Sequence, residues 1–335
     1  MSRSATTRRG GRPGAGLSLG LAFPLALALW LVPLAARAAE AVVTVQGDNA
    51  VDVIDLAAGT ILQRIPVAGS PAGIALSPDR KTAYVTCPDA PGIAVIDLAA
   101  RKVVQVLALP GGPLGIAANP KGGAVYVADW YARRVFVLVP AGGDGEAGLR
   151  LDGEIAVGAS PSGLAVTPDG ATLLVANREA DTVSVVDAAT RRATATIPVG
   201  RHPFGITLDP LGKRAYTANV TGDDVSVIDL AAAREVGRVK TGQRPYVIAL
   251  TEKRGFVTDQ YSGTVTVFDR GTLAPVTRIE VGDHPEGIAA TADGRSVIVA
   301  NWGSNTLSVI DAETLTVTRE IKTDDSPRAF GDFLR

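Results

Sequence analysis

Trp130 and Trp302 stand in one register of this 335-residue chain, with Tyr131 and Tyr261 in the same kind of loop. A second register sets cationic or imidazole side chains before proline, in Arg201-His202-Pro203-Phe204, Arg244-Pro245-Tyr246 and His284-Pro285-Glu286. Indole and phenol rings beside guanidinium groups suit stacking on a planar ligand or anchoring of a protein partner. The bland alternative is that Phe204 and Tyr246 pack against neighbouring elements while Trp130 and Trp302 shield loop backbones. His202 and His284 are the only histidines and Cys87 the only cysteine, too few for a structural zinc site, a di-metal centre or an internal disulfide. The imidazoles are expected to cap turns or face solvent, and haem or copper would need further ligands. The residues therefore assign no catalytic group, no metal and no cofactor. An enzyme would need acid, base or metal ligands beyond Asp259, His202, His284 and Glu286.

With 33 Lys+Arg against 34 Asp+Glu and 46% apolar residues, the chain is neither disordered nor polycationic. Its first residues differ from the rest. Arg3, Arg8, Arg9 and Arg12 precede an apolar run from Leu17 to Leu34, and Ala36-Arg37-Ala38 fits a small-x-small cleavage site. This pattern reads as a signal peptide over residues 1–38, cleaved near Ala38, which directs the protein to the periplasm or outside the cell. Gly10-Gly11 after the arginine pair departs from the twin-arginine pattern and favours ordinary export. The run is long enough for an uncleaved anchor, but Pro24, Pro33 and the alanine-rich end favour removal. Cleavage takes five arginines and leaves 28 basic against 34 acidic side chains, a net charge of −6. That charge argues against a membrane surface and against broad capture of nucleic acid.

The loops that carry the aromatic residues belong to a repeat. A proline followed two residues later by a small residue recurs at Pro71, Pro113, Pro161, Pro203, Pro245, Pro285 and Pro327. An independent landmark, an aspartate closing a Val-Ile-Asp-like run, falls at Asp55, Asp97, Asp187, Asp229, Asp269 and Asp311, with Val139 in the one vacant place. The single departure from a repeat of about 42 residues is a glycine-rich insertion, Pro140 to Asp152, expected to be a surface loop. Each unit reads as four short strands separated by turn residues, as in the alternating Val183-Ser184-Val185 and Val225-Ser226-Val227. Four strands per unit and no sustained helical period define an all-β, seven-bladed β-propeller of four-stranded blades. The blades are expected at about 71–109, 113–157, 161–199, 203–241, 245–281 and 285–323. The last is split: residues 41–68 hold three strands and 327–335 only a first strand, so the C-terminal strand should join the three N-terminal strands and close the ring, forming one domain over 39–335. Small residues such as Gly163 and Gly287 would be required where blades crowd toward the axis. The Asx residues Asp129, Asn177, Asn219, Asp259 and Asn301 are expected to bond their own turn backbones.

Tyr84-Val-Thr-Cys87, Tyr126-Val-Ala-Asp129, Leu174-Val-Ala-Asn177, Tyr216-Thr-Ala-Asn219, Phe256-Val-Thr-Asp259 and Ile298-Val-Ala-Asn301 each lie ten residues before the strand-three aspartate position. They resemble the repeat of the YVTN (YncE-like) β-propeller family over residues 41–335, the first unit departing most, with Val45 at the Asx position. The resemblance implies a seven-bladed propeller, commonly secreted or periplasmic and usually without an established activity. Some members bind single-stranded DNA through aromatic residues near the channel mouth, and similar repeats occur beside quinoprotein dehydrogenase systems. In that topology the loop between strands two and three and the loop joining successive units open on one face. The candidate binding residues are then Trp130, Tyr131, Arg201, His202, Phe204, Arg244, Tyr246, Tyr261, His284 and Trp302, on a monomer that presents this face to a protein, a polymer or a small-molecule ligand. Single-stranded DNA is the second reading, favoured by Arg133, Arg134, Arg178, Arg201 and Arg244 and opposed by Asp181, Asp223, Asp224 and Asp283. A lactonase-like enzyme or an accessory of a quinoprotein dehydrogenase is the third.

Overall fold

Residues 10–11, 40–142 and 148–335 are described by the structure, a computed structural model. The proposed signal peptide falls outside these residues apart from Gly10 and Gly11, as does the middle of the glycine-rich insertion.

Seven blades form the ring. Blade 3 is typical: Pro161–Val166, Thr172–Asn177, Thr182–Asp187 and Arg192–Pro198 pair antiparallel in sequence order from the axis outward. The insertion of blade 2 lengthens its outer hairpin, between Arg134–Pro140 and Leu149–Ala156. Middle strands such as Ala50–Asp55 and Asp224–Asp229 are buried at nearly every position, whereas the outermost strand Lys102–Ala108 alternates between exposed and half-buried. The reason is geometric: each sheet has another sheet against both faces, so the core is divided into wedges between successive blades. Leu174, Val183 and Ile197 of blade 3 pack on Ile206, Ala215 and Ile228 of blade 4 in one such wedge.

Alternation in the third strands does not alternate core with solvent. Ser184, Ser226, Thr266 and Ser308 are as buried as their apolar neighbours. The amides of Asn177, Asn219 and Asn301 donate to Ser184, Ser226 and Ser308 at 2.9 Å, and Thr266 donates to Asp259 at 2.7 Å. The Asx residues also reach the loop that enters the blade, where Asn177, Asp129 and Asp259 accept from the backbone N–H of Gly158, Gly112 and Gly242. They are therefore buried braces between strands and loops, a different role from the local turn bonding expected; only Asp129 also bonds its own turn, at Tyr131 N–H. Turn bonding belongs to the strand-three aspartates: Asp97, Asp187, Asp269 and Asp311 accept from N–H groups two or three residues on, which holds their carboxyls below the usual range.

The proline-x-small units enter the innermost strands. A Cβ at Gly163, Gly205 or Gly287 would lie within 2.5 Å of a backbone oxygen of the next blade, so no larger side chain fits without moving an entire strand. Thr44, Thr86 and Thr258 stitch the same seam, each donating to a carbonyl of the following inner strand.

Ring closure follows the split expected from the chain ends. Residues 327–335 run antiparallel to Glu40–Val45, with bridges Ala41 to Leu334 and Val45 to Pro327 and backbone bonds from Glu40, Val42, Arg328 and Arg335. The regular strand is only Phe330–Gly331, which also pairs parallel with Gly73–Ile74 of blade 1. Gly331, at a φ of 132°, makes that double pairing possible because its Cβ would meet the Ile74 carbonyl.

Blade 7 lacks the Asx brace, having Val45 there, and carries Asp52 at the position held by serine or threonine in blades 3 to 6. Asp52 is fully buried, and burial pushes its carboxyl up to about 6 against the downward pull of Arg64. The folded state thus binds the proton more tightly than the unfolded chain, so the contribution of Asp52 to stability is greatest at low pH and is lost as pH rises from about 4 to about 6. Asp52→Asn should gain stability relative to the parent protein by ~2–3 kcal/mol between pH 4 and pH 8; thermal melts showing the same difference at both pH values would contradict this. Deleting residues 327–335 removes buried Phe330 and Phe333, ~3–6 kcal/mol of apolar burial alone, and should lower the melting temperature sharply. An unchanged melt would disprove closure by this segment.

Candidate functional site

The middle residue of each proline-x-small unit points toward the axis near the end where the connecting loops and the loops between strands two and three meet. In blades 4 to 7 these residues are Phe204, Tyr246, Glu286 and Arg328. They assemble a plug across the channel. Phe204 stacks on Tyr246 at 4.1 Å between centroids and lies 4.8 Å from Phe330, while Trp130 meets its edge at 6.0 Å. Arg328 pairs with Glu286 at 2.8 Å and donates to the Tyr246 hydroxyl at 2.9 Å, and Gln260 donates to the other Glu286 oxygen. Burial, reinforced by the Glu286 charge, pushes the Tyr246 phenol up to about 12 and keeps it protonated. The pairing holds the Arg328 guanidinium charged although most of it is withdrawn from solvent.

Above the plug lies a cavity of about 240 Å³ lined by Leu114, Trp130, Tyr131, Phe204, Tyr246 and Arg328. Tyr131 is 82% exposed and forms an outer wall. The Arg178 guanidinium lies 5.5 Å over the Trp130 ring. On the other side of the mouth His284 sits between Tyr261 at 5.8 Å and Trp302 at 6.0 Å, with the Arg244 guanidinium 5.4 Å over Tyr261. His284 contacts Asp283 at 2.9 Å.

Ten residues were expected on this face, and the structure divides them into different surroundings. Trp130, Tyr131, Phe204 and Tyr246 share the cavity, and Arg244, Tyr261, His284 and Trp302 form the second cluster. Phe204, a candidate binding residue with packing against neighbouring elements as the alternative, is buried because it caps Phe330 inside the channel. Arg201 is bound to the Thr221 carbonyl, and His202 faces Glu179 at 3.7 Å, so the two histidines lie in separate environments. Both adopt left-handed backbone conformations, as does Arg244. The N–H groups of His202 and Arg244 are held by Asp181 and Asp223, so those acids are loop braces as well as charges. Arg134 turns into the blade to Asp129 and Glu154 and is not part of the mouth.

Arg328, Phe330 and Gln260 escaped the sequence reading, and Glu286 entered it only as a possible acid or base. The signal lay in the repeat: Tyr246, Glu286 and Arg328 occupy one register in successive blades, and equivalent inward positions converge at an axis.

This arrangement is a seven-bladed β-propeller with an aromatic, arginine-flanked mouth. A family described as YNCE-like beta-propeller matches residues 250–330, the stretch from the end of blade 5's inner strand to the start of the closing segment. Similar solved structures include Kuenenia stuttgartiensis hydrazine synthase (20% identity, TM-score 0.70, covering 78% of this chain and 89% of that one). A functionally unknown protein from Desulfotomaculum acetoxidans DSM 771 is similar at 16% identity and a TM-score of 0.72, over 87% of this chain and 99% of that one. The dihydro-heme d1 dehydrogenase NirN, solved in complex with DHE, is similar at 19% identity and a TM-score of 0.63, over 88% and 74%. At these identities the likeness is one of fold. No curated protein matches the chain.

Replacing Glu286 by Gln leaves the Arg328 charge buried without its counter-ion and should cost about 3–5 kcal/mol in unfolding experiments. Glu286→Met combined with Arg328→Met should recover most of that loss; strictly additive single effects would show the two charges to be uncoupled.

Proposed function

We propose that this protein is an exported binding propeller that takes a planar ligand, or a planar group of a larger partner, into its aromatic mouth. The observation that carries this reading is the open 240 Å³ cavity walled by Trp130 and Tyr131 over a floor of Phe204, Tyr246 and Arg328. Its floor charge is neutralised by Glu286, so the cavity favours stacking over ion capture. Nothing in this reading needs a catalytic residue. Export rests on the arginine-flanked apolar run and the Ala36-Arg37-Ala38 site.

Single-stranded nucleic acid is the second reading, supported by the two cation-π pairs, Arg178 on Trp130 and Arg244 on Tyr261. Bases stack on such platforms with little sequence preference. The net charge of the cleaved chain and the acids around the mouth oppose it. The hydrazine synthase and NirN likenesses support a propeller serving a redox system only as an analogy of fold.

After signal cleavage Trp130 and Trp302 are the only tryptophans, so intrinsic fluorescence reports both sides of the mouth. Titration with quinones, oligonucleotides and sugars should give a saturable emission change with one class, weakened about tenfold or more in Trp130→Ala, a loss on the scale of one stacked ring. A ligand that binds with equal affinity to the Trp130→Ala/Trp302→Ala protein would place the site elsewhere.

A further inference from the structure

The floor of the aromatic mouth presents hydrogen-bond donors that the plug leaves unused. Arg328 is 17% exposed. Its Nε faces Glu286 at 2.8 Å and its Nη2 donates to the Tyr246 hydroxyl at 2.9 Å. Nη1 has no hydrogen-bond partner among the described residues and keeps contact with solvent, whereas Nε is fully enclosed. That contact opens on the mouth, because Arg328 lines this cavity and not the lower one at the opposite end of the channel, where Phe330 forms part of the wall. Tyr246 accepts from Arg328 and stays protonated, and no described residue accepts its O–H. The one carboxylate nearby is engaged, with one Glu286 oxygen on Gln260 and the other on Arg328. On the wall, Gln46 holds its amide 3.5 Å from the Ser70 carbonyl.

A donor that loses its water on ligand binding must find an acceptor, and a guanidinium N–H left dry costs more than a neutral one. A ring that only stacks on Trp130 would strip solvent from this floor and return nothing to it. A ring with a carbonyl oxygen at its inner edge replaces the displaced water. Glu286 already matches the Arg328 charge, so a carboxylate would bring a charge that the floor does not balance. The cavity, at about 240 Å³, lies below the range of drug-sized sites and suits a small fused ring.

We propose that the mouth selects a small, neutral, planar ring compound bearing a conjugated carbonyl, its ring against Trp130 and its oxygen accepting from Arg328 Nη1 and the Tyr246 hydroxyl. This inference rests on the stacking reading given above and adds the chemical class of the ligand. Trp130 and Tyr131 recognise the ring by its face, and the floor recognises the oxygen.

The probes are coumarin, which carries such a carbonyl, and naphthalene, which has the same fused outline without one, each titrated calorimetrically. Both should saturate a single site and weaken about tenfold or more in Trp130→Ala. Glu286→Met combined with Arg328→Met makes the floor apolar and separates the two. Coumarin should lose about tenfold to a hundredfold there, the scale of a hydrogen bond to a charged group, while naphthalene should hold or gain affinity. In the parent protein the infrared band of the coumarin carbonyl, which lies clear of the protein amide bands, should fall below its position in hexane; this measurement decides the matter should the double variant fail to fold. Equal changes of the two compounds in that variant, or an unshifted carbonyl band, would overturn the carbonyl assignment and leave the stacking site standing. Tighter binding of 2-naphthoate or of oligothymidylate than of coumarin would overturn it in favour of an anion or of nucleic acid. Saturable binding of neither ring, or indifference of both to Trp130→Ala, would overturn the stacking reading and this inference with it.

Discussion

Seven inner strands converge on an axis, and in five of them, at Gly73, Gly115, Gly163, Gly205 and Gly287, there is no room for a methyl group between one backbone and the next. Gly163 against the Phe204 carbonyl and Gly287 against the Ala329 carbonyl show the constraint directly. Close approach lets Thr44, Thr86 and Thr258 bond across the seams, and it aims the residue before each small one into the channel. The plug of Phe204, Tyr246, Glu286 and Arg328 is therefore a consequence of strand crowding. It gives the channel two separate ends, one of them aromatic and arginine-flanked.

Closure makes that crowding possible. An open row of blades would leave the outermost seams unpaired and the axis unformed. The C-terminal segment does more than complete a sheet: Arg328 supplies the cation of the plug, Phe330 separates the two cavities, and Asp332 lies at the rim of the lower one. Residues contributing to both ends thus lie on the element whose docking completes the ring, which couples the integrity of the fold to both cavities.

A second buried system braces the blades. Asn177, Asn219, Asp259 and Asn301 hold serine or threonine hydroxyls on the neighbouring strand, and Asn177 and Asp259 also accept from N–H groups of the entering loop. Burying an amide or carboxylate without these bonds would carry a large desolvation penalty. Blade 7 departs from this pattern through Val45 and Asp52 and keeps a carboxyl whose proton affinity is raised by burial. The blade assembled from the two chain ends thus has a pH-dependent core.

Two landmarks, the proline-x-small units and the strand-three aspartates, were enough to read blade number, strand number and the split blade, because every copy solves the same local problem with the same residue types. The placement of Trp130, Tyr261 and Trp302 at one mouth was legible for the same reason: equivalent loops open on the same face. The partners of Arg328 were not legible, since Tyr246, Glu286 and Arg328 lie 82 and 42 residues apart along the chain and meet only where curvature brings successive blades to one axis. Nor was the lower cavity, whose half-exposed leucines and valines look in sequence like any inner-strand core. Local pattern determined the repeat unit; the radius of the closed ring decided which side chains touch across it, and that radius is a property of all seven blades together.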